Sequence, residues 1–151
     1  MNLELSPMTK SEVAEVKALE DKLFPVDAWS AELFHNELAE VGISREVMVA
    51  KLDGTIVGYV SLRYVGNEGD VVTIAVGQSV QKQGVGTVMM NWLESKARAL
   101  GVKDLFLEVR SDNIPAIAMY LARDFERIDL RRNYYEPGVD AYVMRKRLDR
   151  V

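Results

Sequence analysis

The sequence predicts an α/β fold, of the α+β mixed-sheet kind, with a central mixed β-sheet of about seven strands flanked by about four helices. Two observations carry that prediction. Between residues 47 and 76, three apolar and β-branched runs are separated by glycine-bearing turn signals, which is the pattern of an antiparallel meander. Between residues 73 and 120, a strand, a glycine-bearing loop, a helix, a second strand and a second helix follow in order as one βαβα unit. At 151 residues, with 48% apolar and 28% charged residues, the chain is expected to form one domain over residues 1–151 with a sizeable core.

Each element has its own warrant. Asn2–Leu5 suits a short first strand. Thr9 and Glu12 have capping-box spacing, and Val13, Val16, Leu19 and Leu23 then form a helix stripe that ends near Phe24-Pro25. Ser30 can cap a second helix carrying Leu33, Phe34, Leu38 and Val41. Val47–Leu52 and Thr55–Val65 read as strands joined by the Asp53-Gly54 hairpin signal, and Gly58 inside the second marks a bulge or a close approach. Gly66–Gly69 is a turn and Asp70–Val76 the third strand of the meander. Val85–Leu100 is a helix closed by Gly101. Asp104–Val109 is nearly all apolar and is expected to be buried on both faces. Ile114–Arg123 is a helix, and Phe125–Leu130 and Ala141–Leu148 are strands joined by the segment from Arg131 to Asp140.

Composition removes several functions. An apolar run of the roughly 18 residues that a membrane helix needs is absent. The N-terminus lacks the basic and apolar regions of a signal peptide, so a cytoplasmic location is expected by default. With no Cys, a thiol nucleophile and a Cys-based metal site have no residues to build them, and with a single histidine, His35, neither a histidine metal cluster nor a Ser-His-Asp triad is expected. The net charge of −4 argues against general nucleic-acid binding. It suits a cationic partner, and it equally suits solubility alone.

The chemistry concentrates in the βαβα unit. Gln81, Lys82, Gln83, Gly84, Val85, Gly86 and Thr87 link a strand to a helix. Glycines there let backbone approach a ligand, and the first N–H groups of the helix point into the positive end of its dipole. A pyrophosphate is the natural guest, although a plain strand-to-helix turn would look similar. A dinucleotide fingerprint would need glycine where Met89 stands, and the Walker pattern is missing, which leaves Q-x-x-G-x-G. Glu108 interrupts an apolar strand, where a carboxylate is costly unless paired or exposed in a cleft. It reads either as a base or as a strand-end partner for Arg110 or a neighbouring arginine. Tyr120, on the helix side shared with Asn113, Ala116 and Ile117, reads as core or as a proton donor. Tyr134 and Tyr135 are adjacent aromatics on a connection, and Trp29 sits in the helix-connecting run F-P-V-D-A-W-S.

Val76–Gly86 and the helix after it resemble the acetyl-coenzyme A motif [RQ]-x-x-G-x-[GA] of the GNAT (Gcn5-related N-acetyltransferase) superfamily. The segments L-E-V-R-S-D-N-I-P-A-I-A-M-Y, F-P-V-D-A-W-S and R-R-N-Y-Y narrow the resemblance to the RimI branch, the ribosomal-protein N-terminal alanine acetyltransferases. The resemblance covers nearly the whole chain. It implies acetyl transfer from acetyl-CoA to the N-terminal amine of a protein, with no metal. It also implies that Ile74, Ala75 and Val76 bond the pantetheine arm, that Gln81–Thr87 hold the pyrophosphate, and that Asn113 contacts the arm. By the same resemblance Glu108 is the general base, directly or through water, and Tyr120 protonates the leaving thiolate. Trp29, Tyr134 and Tyr135 would line the peptide slot. Two departures stand out: Asp124 replaces a glycine that usually ends the catalytic helix in a left-handed conformation, and the F-P-V-D-A-W-S loop is two residues longer than F-P-W-S. A small-amine acetyltransferase and a non-catalytic acyl-coenzyme A sensor are the competing functions.

Overall fold

A computed structural model describes residues 2–148, so Met1 and residues 149–151 of the expected domain lie outside the described residues. Among the described residues, seven strands form one mixed sheet in the order β1-β2-β3-β4-β5-β7-β6, and four α-helices accompany them. The chain divides into two compact units.

The first unit comprises the chain up to Arg63 together with Val72–Lys96. β1, Leu3–Pro7, runs antiparallel to β2, Arg45–Leu52, with Leu3 opposite Leu52 and Pro7 opposite Met48. A one-turn 3-10 helix at Lys10–Glu12 leads into α1, Val13–Leu23; the Glu12 carboxylate accepts the Thr9 N–H at 2.9 Å, as the capping-box spacing requires. α2, Ala31–Ala39, is capped by Ser30, whose Oγ accepts the Leu33 N–H at 3.1 Å. It stops before Val41, the last residue of the expected stripe, which is exposed; the chain turns at Gly42, with φ 83°.

β3, Thr55–Val65, pairs with β2 through a turn in which Asp53 and Gly54 have φ 50° and 86°, the left-handed pair of a two-residue hairpin. The register shifts between Ala50 and Lys51, which face Gly58 and Ile56, so Val57 is the extra residue of a bulge. Gly58 is also a close approach: a Cβ there would lie 2.7 Å from the Ala75 carbonyl oxygen on β4, Glu68–Val76. Both expectations for Gly58 hold. The core gathers Val13, Val16, Phe34, Val49 and Tyr59, with the Tyr59 ring edge-on to Phe34 at 5.7 Å.

The second unit comprises Tyr64–Val71 and the chain from Ala97 onward. The start of β4 runs parallel to β5, Asp104–Arg110, pairing Glu68 with Asp104 through Val71 with Leu107. α3, Val85–Ala99, ends here, and Gly101 follows it with φ 84°. α4 spans Ile114–Ala122. β7, Val139–Arg147, lies between β5 and β6, Glu126–Glu136, antiparallel to both.

Two expectations are corrected in this unit. β5 is not buried on both faces: Leu105, Leu107 and Val109 are buried, while Phe106 and Arg110 are half-buried and Glu108 is exposed. The alternation of a strand outweighs the apolar composition, and the face carrying Glu108 stays open. The segment from Arg131 to Glu136 is strand rather than connection, because β6 continues to Glu136 and turns tightly at Pro137-Gly138. Polar side chains hold this irregular hairpin. Asn133, at φ 52°, gives its N–H to Asp140 at 2.9 Å, and its side-chain oxygen accepts the Gly138 N–H at 2.8 Å.

Candidate active site

In the first unit, β4 ends in Ile74, Ala75 and Val76, with Ala75 buried and its neighbours half-buried. The Gly77 N–H donates to the Val57 carbonyl at 2.7 Å, which fixes the strand end against the bulge in β3. The loop then folds back on the strand: the Gln81 side-chain amide donates to the Val76 carbonyl at 3.1 Å. Lys82 and Gly84 are both left-handed, at φ 65° and 87°, with an ordinary Gln83 between them. Such alternation turns successive N–H groups toward one side, a shape that receives anions. The first helical bond of α3 runs from the Val88 N–H to the Gly84 carbonyl at 3.0 Å, so the N–H groups of Val85, Gly86 and Thr87 precede it. Val85 is buried and anchors the helix start, while residues 81–84 are exposed. A Cβ built at Gly84 meets nothing within 4 Å. Open space, a left-handed turn and unclaimed helix N–H groups together fit a pyrophosphate.

Trp29 is also in this unit, at the edge of the core, its ring 5.2 Å from that of Phe34. Its backbone N–H donates to Glu20 Oε2 at 2.9 Å, and the Tyr59 hydroxyl donates to the other Glu20 oxygen. Burial, followed by the bond to Glu20, pushes the Tyr59 phenol far above its ordinary value. Glu20 is itself buried and fastens the run after α1 to the core. Glu20 was missed in the sequence, although a carboxylate on the apolar stripe of α1 was a visible signal.

In the second unit, Glu108 stands on the open face of β5. The Arg131 guanidinium lies 3.3 Å from its Oε1, and Tyr134 hydrogen-bonds the same carboxylate. That bond, then the charge on Glu108, raises the Tyr134 phenol, while Arg131 pulls it down. The arginine partner considered from the sequence, Arg110, is engaged elsewhere: it donates to Asp112 at 3.0 and 3.1 Å and to Glu136 at 2.8 Å. Arg110 also lies 5.3 Å from the Tyr135 ring, and Tyr135 meets Tyr134 edge-on at 5.1 Å.

Tyr120 is 5% exposed. Burial, with a smaller contribution from Tyr135, pushes its phenol well above the ordinary tyrosine value, so it holds its proton at neutral pH. Its place is set by the end of α4. Asp124 is left-handed at φ 73°, the Phe125 N–H donates to the Tyr120 carbonyl at 3.0 Å, and the Asp124 N–H donates to the Leu121 carbonyl at 3.1 Å. This is the Schellman pair of bonds, and the apolar contact that accompanies it is Tyr120 on Phe125 at 5.6 Å. Asp124 thus takes the backbone conformation expected of the glycine it replaces. Asn113 caps the other end of α4: its Oδ1 accepts the Ala116 N–H at 3.2 Å, and its side-chain amide nitrogen retains two donors.

The structure therefore joins Ile74–Val76 to Gln81–Thr87 within one unit and Glu108 to Tyr134, with Tyr135 alongside, within the other. Trp29 belongs to the core edge of the first unit. Arg131 is the further residue at Glu108; R-R-N-Y-Y was conspicuous in the sequence, but its reach to β5 depends on sheet order.

Residues 13–125 match the Acetyltransferase (GNAT) family. The N-alpha-acetyltransferase RimI of Mycobacterium tuberculosis is 36% identical, over 94% of this chain and 90% of its own length. The ribosomal protein bS18-alanine N-acetyltransferase of Escherichia coli is 31% identical, over 77% of this chain and 78% of its own. The crystal structure of the ribosomal-protein-S18-alanine N-acetyltransferase from Escherichia coli superposes with a TM-score of 0.87 at 25% identity, covering 99% of this chain and 96% of that one.

Proposed function

The chain belongs to the GNAT family and is an acetyl-coenzyme A-dependent N-acetyltransferase. From that premise we propose that it works as a single catalytic domain on protein N-termini, with the N-terminal alanine of a small-subunit ribosomal protein as its acceptor. The observation that carries the proposal is Glu108, an exposed carboxylate between the buried Leu107 and Val109 of β5, tied to the first member of the Tyr134-Tyr135 pair. The likeness to relatives whose names specify alanine N-acetylation supports the acceptor. Such a substrate is basic and made in the cytoplasm, where we place the reaction, and a net charge of −4 favours its approach.

In the proposed mechanism, the Gln81–Thr87 loop holds the carrier's pyrophosphate. Ile74–Val76 bond its pantetheine arm, with the free amide donors of Asn113 as a further contact. Glu108 takes a proton from the amine, directly or through a water. The neutral amine forms the new bond to the acetyl carbonyl carbon, and the carbon–sulfur bond breaks. The nitrogen, positively charged once bonded to the acyl carbon, loses its second proton by the same route. Tyr120 gives its proton to the departing sulfur and recovers one by way of solvent, so one proton is released per turnover. Burial suits Tyr120 to this role, because the environment that disfavours a phenolate also disfavours a thiolate. Tyr134, Tyr135 and the Trp29 run line the slot for the extended peptide end.

An α-amine, with a pKa of about 7.7–8.0, is roughly a tenth neutral at pH 7, whereas a lysine near 10.4 is under about a thousandth neutral. An exposed carboxylate therefore suffices for N-termini, and lysine requires about 3.5 kcal/mol more. The test is Glu108→Gln. Carrier affinity is expected to be retained and turnover to fall by about 10² or more, with the deficit shrinking as the pH rises past the amine's pKa. A deficit independent of pH would make Glu108 a structural carboxylate.

A further inference from the structure

The proposed mechanism leaves Arg131 without a task, although its guanidinium is 3.3 Å from Glu108. Arg131 stands on β6, and β7 separates β6 from β5, so its side chain reaches across a whole strand. The residue opposite Arg131 on β7 is Ala141 and the one opposite Glu108 is Val143, so the contact runs diagonally across β7. The contact is loose. It uses one carboxylate oxygen, it is longer than the roughly 2.7–2.9 Å of a tight charge-assisted bond, and the Arg131 side chain is 53% exposed. The guanidinium also lies 5.5 Å from the Tyr134 ring, a second place to rest. Arg110, on the same strand as Glu108, makes the contrast: Asp112 grips it with two bonds and Glu136 with a third.

We propose that Arg131 is a placeholder cation, occupying Glu108 while the acceptor is absent and giving up that position to the substrate's protonated α-amino group. The inference rests on Glu108 being the base. A guanidinium that stayed in place would occupy the carboxylate oxygen that the amine must approach. About nine-tenths of α-amines carry a positive charge at pH 7, so the arriving group competes with Arg131 for the same carboxylate. An exposed ion pair is weak enough for that exchange, worth at most about fivefold in binding. Arg131 is thus a positioning residue that acts through Glu108, and the exchange makes its effect specific to acceptors with a charged amine.

The experiment compares an alanine-first peptide with the same peptide lacking its α-amino group, the latter used as a competitive inhibitor. In Arg131→Gln, the peptide KM is expected to fall about two- to fivefold. The change is expected in KM rather than kcat, the inhibitor's Ki should stay put, and Arg131→Lys should restore the wild-type KM. Combined with Glu108→Gln, the Arg131→Gln effect should disappear. A rise in KM, or equal changes for peptide and inhibitor, would overturn the proposal by showing that Arg131 touches the peptide or shapes the slot. Wild-type turnover in Glu108→Gln alone would overturn the base assignment, and the difference between KM and Ki would still report whether amine and guanidinium compete.

Discussion

Asp124→Gly tests how the end of α4 sets Tyr120. Asp124 occupies the left-handed position of the Schellman turn at φ 73°. A residue with a Cβ gives up roughly 1–2 kcal/mol in that conformation, with Asp nearer the lower figure. Glycine removes the steric cost but loses more chain entropy on folding, about 0.5–1 kcal/mol. With Asp near about 1 kcal/mol, the difference favours glycine by at most about 0.5 kcal/mol, which for a domain of this size raises Tm by at most about 2 °C. Both turn bonds are made by backbone, and the Tyr120 contact with Phe125 does not involve the Asp124 side chain, so kcat should be unchanged. Thermal and urea unfolding at neutral pH, together with steady-state kinetics, measure both quantities. Asp124→Ala provides the control, since it keeps the Cβ and should not stabilise. A lower Tm in Asp124→Gly would refute the reasoning, and an equal gain from Asp124→Ala would place the effect outside the left-handed turn.

Further outcomes follow from the site. Gly84 has φ 87° and open space where a Cβ would point, so Gly84→Ala strains the loop and fills that space. Acetyl-coenzyme A affinity measured by calorimetry on the folded variant should fall clearly, and an unchanged Kd would remove the pyrophosphate assignment. Tyr120→Phe keeps the ring packing on Phe125 and removes the proton donor, so single-turnover kinetics should show a slower chemical step in a variant as stable as wild type within about 1 kcal/mol. A wild-type chemical step would move the acid role to water.

What the sequence revealed was local. The Asp53-Gly54 hairpin, the Ser30 cap, Gly101 after α3 and the left-handed Asp124 each depend on a residue type at a fixed offset, and the structure has all four. Gly58 announced both its bulge and its close approach because a missing Cβ serves either. What escaped depends on partners far along the chain. The composition of β5 suggested two buried faces, but burial of its Glu108 face is decided by what packs there. The charged segment through Arg131 and Tyr135 looked like a loop, because its strand character comes from pairing with β7 and from the Asn133 and Asp140 bonds. Carboxylate-bearing Glu108 was conspicuous on its own strand, while its partner Arg131 was not, since two strands far apart in sequence share a face only through the order β5-β7-β6.

The central claim is that the acceptor is a protein α-amine. The most direct measurement offers wild-type enzyme and acetyl-coenzyme A one peptide with a free N-terminal alanine and an internal lysine, at pH 7, and locates the acetyl group by fragment mass spectrometry. The account predicts acetylation at the alanine amine, with the lysine lagging by about 10² or more, as the difference in neutral fraction requires. Acetyl on lysine at a comparable rate, or turnover of spermidine or an amino sugar while every peptide N-terminus is ignored, would contradict it.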